Sequence, residues 1–146
     1  MPPPQTELPS EVASVDAARA WAEQIADACE FGEEDRYRIG LAVHEAAANA
    51  IVHGNRQRPG TAVRLRWQLT DGRLTVTVGD DGPGFTPPAP PAPDAAPGLG
   101  TSGRGLGLIA RLTDDFHVSH REDPPGTDLV LVIIPTEGNG APVQAD

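Results

Sequence analysis

Apolar residues recur at helical spacing in two early stretches of the chain and at every second position later, so the sequence predicts helices first and a sheet afterwards. Val15, Ala18, Ala22, Ile25 and Ala26 form one stripe, on a helix running to about Cys29 with Ser10 or Ser14 as its N-cap. Gly32 ends that helix, and Glu33, Glu34 and Asp35 set negative charge in the first turn of a second. Its stripe is Ile39, Ala42, Val43, Ala46 and Ala50, and Gly54-Asn55 stops it just after His53. Ahead of both, residues 1–9 are proline-rich and polar and read as a flexible or extended lead-in.

Over residues 63–70 the pattern becomes strict alternation, with Val63, Leu65, Trp67 and Leu69 on one face and Arg64, Arg66, Gln68 and Thr70 on the other. Asp71-Gly72 is a hairpin signal, and the return strand over 73–79 points Leu74, Val76 and Val78 inward. Residues 86–97 are almost entirely Pro and Ala, which suits neither a regular helix nor a central strand and reads as a loop. A short third helix follows over about 105–113, then a strand over 116–120 and a fully apolar strand over 129–134, bounded by Gly126 and Pro135. The tail, 137–146, reads as disordered. This order predicts an α+β fold, a two-layer α/β sandwich with three helices on one face of a mainly antiparallel mixed sheet.

At 146 residues the chain fits one domain, here spanning 10–136. A formal net charge of -10 argues against direct binding to nucleic acid or an anionic membrane and leaves a protein partner or a small ligand. Cys29 is alone, so no internal disulfide is expected, and without a leader or a long apolar run the expected location is cytoplasmic. All 11 basic residues are arginines. A Walker-type phosphate lysine, the strand lysine of eukaryotic-type protein kinases and a Schiff-base lysine are therefore excluded, and phosphate charge must be met by arginine, backbone amides or metal.

Three segments carry candidate chemistry. Glu45 and Asn49 are one helical turn apart in a stretch whose neighbours are small or apolar, so both polar groups sit where burial is expected. The glutamate suits a base, and the asparagine amide offers oxygen to a hard cation such as Mg²⁺. His44-Glu45 invites comparison with a zinc helix, but Ala48 stands where the second histidine is needed. Asp80, at a strand end before Gly82 and Gly84, is placed to accept the amino proton of adenine, with Asp81 as a solvated neighbour. Gly98-x-Gly100-x-x-Gly103 matches a dinucleotide fingerprint but follows a Pro/Ala loop instead of a strand. Gly103-Arg104-Gly105-Leu106-Gly107 instead opens a helix, where free amides and Arg104 form a phosphate cradle and the flanking glycines permit lid closure. Thr127 offers a hydroxyl near the base, His53 a structural role beside Gly54, and Arg56, Arg58, Arg64 and Arg66 a solvated face.

Asn49 after Glu45 with His53-Gly54, then Asp80-x-Gly82-x-Gly84, then Gly103-Arg104-Gly105-Leu106-Gly107, in that order, resembles the N box and two glycine boxes of the GHKL ATPases. The short chain and the wording Glu-x-x-x-Asn-Ala-x-x-His-Gly are similar to the small bacterial anti-sigma factor serine kinases. The resemblance implies the Bergerat, or histidine-kinase-like ATPase, fold with ATP between helices and sheet and a lid over 86–103. It implies Mg²⁺ at Asn49, Glu45 as the catalytic base, Asp80 reading adenine with Gly82 and Gly84 shaping its pocket, and Gly103, Arg104, Gly105, Leu106 and Gly107 around the phosphates, with Thr127 at the base. It further implies a homodimer that phosphorylates a STAS-type antagonist or sequesters a sigma factor. An ATP-binding module without phosphotransfer, and a simple ATPase, are the alternatives.

Overall fold

The computed structural model describes residues 2–82, 106–122 and 125–136. The expected lid loop over 86–103 and tail over 137–146 lie outside the described residues. Strand β1 (Gln5–Pro9) leads into helices α1 (Ala13–Ala28) and α2 (Glu33–Ala48), and α2 continues as a π-helical turn (Asn49–Gly54). Strands β2 (Ala62–Thr70) and β3 (Arg73–Asp80), helix α3 (Leu106–Leu112) and strands β4 (Asp115–Glu122) and β5 (Pro125–Ile133) complete the fold.

Five strands form one sheet in the order β1-β2-β3-β5-β4, and every pairing is antiparallel. Registers such as Leu65 opposite Val78, and Val78 opposite Leu129, put branched side chains on one inner face. The β2–β3 hairpin turns through Asp71 and Gly72 at φ of 53° and 76°, the left-handed pair that a tight two-residue turn needs. Both helical stripes read from the sequence are buried against this face, Trp21 is buried with them on α1, and Ile109 of α3 is fully buried. Each large aliphatic side chain so enclosed favours the fold by roughly 1.5–3 kcal/mol. The result is the α+β arrangement expected, with a helical layer on one sheet face. Among the described residues no helix is long and apolar enough to cross a membrane.

A buried ionic knot closes the end of this sandwich remote from the π-helical turn. Asp35, fully buried, accepts hydrogen bonds from Arg38 Nε at 3.1 Å and from the Thr136 N–H at 2.8 Å. Arg38 also donates to the Leu112 carbonyl at 3.0 Å and the Ile134 carbonyl at 2.7 Å. One guanidinium thereby ties α2 to the last residue of α3 and to the chain leaving β5, satisfying carbonyls that a helix end would otherwise leave open.

Several expectations are corrected. Residues 5–9 are not a loose lead-in: β1 pairs with β2 from Gln5 opposite Arg66 to Pro9 opposite Ala62, because an edge strand tolerates a proline that needs no ladder partner on its outer side. Neither Ser10 nor Ser14 caps α1. The N-cap is Val12, with no side-chain cap bond, and Ser10 is drawn away to Asn55. The alternation in β2 overstates burial at its far end, where Leu69 is 43% exposed. The long second helix changes to a π turn at Asn49.

Candidate functional site

Asn49 donates its backbone N–H to the Glu45 carbonyl, so the two side chains project from one face a single α-helical turn apart. Immediately beyond, the Asn55 N–H bonds to the Ala50 carbonyl at 2.7 Å, the five-residue reach of a π turn. Widening the helix here aims its end at the turn that follows β3. Ala46, Asn49 and Ala50 from the helical layer face Val78 and Asp80 of β3 and Thr127 and Leu129 of β5 across one small cleft.

Asn49 is 5% exposed, and its Nδ2 has no hydrogen-bond partner among the described residues. A buried amide without a partner is costly, by about 1–3 kcal/mol. At the cleft, Nδ2 keeps donor capacity that the described residues do not use. Glu45 stands nearer solvent, with 27% of its side chain exposed and Oε2 3.4 Å from His44 Nδ1. Those two atoms are in ion-pair range without hydrogen-bond geometry, and His44 Nδ1 has no hydrogen-bond partner among the described residues.

Asp80 is 4% exposed at the end of β3, opposite Thr127 in the ladder. Burial raises its carboxyl pKa above the ordinary 3.8, and the Gly82 N–H, the Arg121 charge and the Thr127 N–H only partly offset that. The Gly82 N–H reaches Asp80 Oδ1 at 2.9 Å. Close approach explains the glycines on both sides of this carboxylate. A Cβ on Gly54 would occupy the space of the Asp80 carboxylate, and one on Gly82 would overlap the Gly54 carbonyl.

Asp81, expected as a solvated neighbour, keeps a third of its side chain exposed but is also bonded into the turn. Its Oδ1 accepts from Arg64 at 2.6 Å, its Oδ2 from the Ala62 N–H at 3.1 Å, and its own N–H donates to Asn55 Oδ1 at 2.7 Å. Burial alone would raise its pKa, but the Arg64 bond, the Ala62 N–H and the charges of Arg64 and Arg121 outweigh it and hold the carboxyl below the usual value. Arg64 is accordingly part of this turn rather than of a free basic face. Arg121 donates to the Asp80 carbonyl and, at 2.8 Å, to Asp128. Room for its guanidinium exists because residue 126 is glycine.

Asn49, Asp80 and Thr127 thus line one cleft, and Gly82 is bonded to Asp80. Thr127 is 2% exposed, with Oγ1 3.4 Å from His120 Nδ1. Leu106, buried, and Gly107 begin α3. Gly84, Gly103, Arg104 and Gly105 lie outside the described residues. Sequence reasoning missed Asn55, Arg121 and the steric role of Gly126. Gly54-Asn55 signalled only a helix stop, and no spacing rule points from Arg121 to a backbone carbonyl on another strand.

Comparison with known proteins bears on the same fold. A family model described as the histidine kinase-like ATPase domain matches residues 8–133. The anti-sigma F factor of Clostridium novyi (strain NT) is 29% identical over 96 residues, which are 64% of this chain and 66% of that protein. The RsbU and RsbW domains of Rv1364c from Mycobacterium tuberculosis superpose with a TM-score of 0.64 at 19% identity, covering 94% of this chain and 34% of that one. The nucleotide-free catalytic domain of the histidine kinase ThkA (TM1359) superposes with a TM-score of 0.52 at 17% identity, covering 90% of this chain and 96% of that domain. At those identities the two structures speak to the fold alone.

Proposed function

Because the chain belongs to the histidine kinase-like ATPase domain family, we propose that it binds ATP with Mg²⁺ in this cleft and phosphorylates a serine of a STAS-type anti-sigma factor antagonist, switching between that partner and a sigma factor. The observation that carries the reading is the buried Asn49, whose Nδ2 has no partner among the described residues, sharing one cleft with a buried carboxylate, Asp80. The likeness to an anti-sigma F factor supports the partner-switching part, and a cytoplasmic location accords with it.

Asp80, which lines the cleft, would accept an amino proton of the base, a discrimination that a carbonyl at that ring position would fail. Gly82 keeps the backbone close enough for a flat ring, and Thr127 lines the same cleft beside Asp80. Gly84, Gly103, Arg104, Gly105, Leu106 and Gly107 are assigned to the base pocket and the phosphates by their place in the sequence motifs. Asn49 would hold Mg²⁺ through its amide oxygen, and the ion when bound would offset phosphate charge. Glu45, one turn away and part-exposed, takes the proton of the incoming serine hydroxyl at a carboxylate oxygen. Most of the rate enhancement then comes from positioning and fixed dipoles.

The test is transfer of label from ATP, in the presence of Mg²⁺, to a STAS-domain protein encoded nearby. Glu45→Ala is expected to abolish transfer, by about 100-fold or more, while keeping nucleotide affinity. Transfer that survives Glu45→Ala or Asn49→Ala overturns the assignment, and phosphate release without a protein acceptor identifies a simple ATPase.

A further inference from the structure

One side chain that the proposed chemistry leaves unused joins everything around the cleft. Asn55 is fully buried. Its Nδ2 spends both protons, on Ser10 Oγ at 2.6 Å and on the Ala62 carbonyl at 2.9 Å, while Oδ1 accepts the Asp81 N–H at 2.7 Å. Its backbone N–H closes the π turn on Ala50. A single residue therefore connects the helix that carries Asn49, the chain leaving β1, the start of β2 and the turn after Asp80.

Backbone geometry around it leaves no slack. Arg56 and Gln57, directly after Asn55, both take left-handed φ angles of 53° and 54°, a conformation that residues with a Cβ adopt reluctantly. The chain reverses there against its local preference, and the buried Asn55 bonds oppose its relaxation. Before Asn55, Gly54 packs with its Cα against the Asp80 carboxylate, and Gly82 packs against the Gly54 carbonyl. Any shift of the π turn must move Asp80.

We propose that Asn55 is a positioning residue for the nucleotide, fixing the Asp80 carboxylate relative to the Asn49 amide and thereby setting the preference for adenine. This rests on the reading of the cleft as an adenine nucleotide site. Asn55 touches no ligand in the proposal and acts through the Asp81 N–H.

Calorimetric titration with the magnesium complexes of ADP and of IDP, whose base carries a carbonyl in place of the amino group, tests the idea on the full chain. Asn55→Ala is expected to weaken MgADP binding about tenfold and to bring the ADP-over-IDP preference to within about twofold of unity, the scale expected when one polar contact is misplaced. Ser10→Ala, which removes one bond and spares that to Asp81, is expected to fold and to lower the preference by about threefold. An equal loss of both affinities with the preference intact overturns the positioning role, since lower stability alone shrinks the folded fraction without altering discrimination. Should Asn55→Ala fail to fold, an unchanged preference in Ser10→Ala overturns it instead. Wild-type protein that binds neither nucleotide overturns the underlying site, a different result from variants that retain the wild-type preference.

Discussion

Asp80 and Asp81 are adjacent carboxylates with opposite electrostatics, and each gives its own pH dependence. The Asp80 pKa is raised in the folded chain, so its contribution to stability is fully present below the unfolded value of about 3.8 and is lost as pH rises through the folded value. Keeping it ionised at neutral pH opposes folding. Asp80→Asn, which retains an oxygen for the Gly82 and Thr127 N–H groups, is expected to leave the ligand-free melting temperature at pH 7 unchanged or higher. The same variant is expected to lose MgADP affinity by about tenfold or more, a trade of stability against binding that thermal melts and calorimetry measure together. In the wild type, affinity should fall with decreasing pH around a midpoint above 3.8, as protonation removes the acceptor. Asp81 behaves the other way: its depressed pKa stabilises the fold above about 3.8 and is lost as pH falls through the folded value. Arg64→Ala should weaken that acid dependence and lower stability at pH 7 by about 0.5–1 kcal/mol, read from urea titrations at pH 7 and at about pH 3, below the unfolded value.

Among the elements, the π-helical turn is where sequence patterning was least informative. Apolar spacing runs unbroken through Ala46 and Ala50, yet the helix is π-helical over Asn49–Gly54, and the Asn55 N–H reaches back five residues to Ala50. That reach is set by tertiary bonds to Asp81, Ala62 and Ser10, which no local propensity encodes. Asn49 was legible because a polar residue in an apolar stripe stands out; Asn55 was not, because it looked like ordinary punctuation. Gly54→Ala is expected to destabilise the protein by about 1–3 kcal/mol and to displace Asp80, since the added methyl has no space; chemical denaturation and loss of MgADP binding check it. At the other end of the sandwich, Arg38→Ala strips the buried Asp35 of its nearest cation and frees the Leu112 carbonyl. A loss of about 2–4 kcal/mol, with faster amide exchange at Thr113 than elsewhere in the core, is the expected result.

For the molecule as a whole, the two-layer α+β plan, both helical stripes and the Asp71-Gly72 hairpin were readable from periodicity and turn chemistry alone. The strand at 5–9 was not. Five residues holding three polar side chains and ending in proline carry no strand signal, and their order comes from pairing with β2, far along the chain. Because Ser10 hands that strand's position to Asn55, removing residues 1–10 is expected to weaken MgADP binding as well as stability. Conversely, MgADP at about 100 times its dissociation constant should stabilise the full chain by about 2.7 kcal/mol, visible as a thermal shift without any partner protein. The pairing of Gln5 with Arg66 also has a consequence for biogenesis. In the nascent chain β1 must wait through two helices for β2, and Asp80 and Thr127 emerge later still on β3 and β5, so nucleotide capture can report that these strands have joined the sheet.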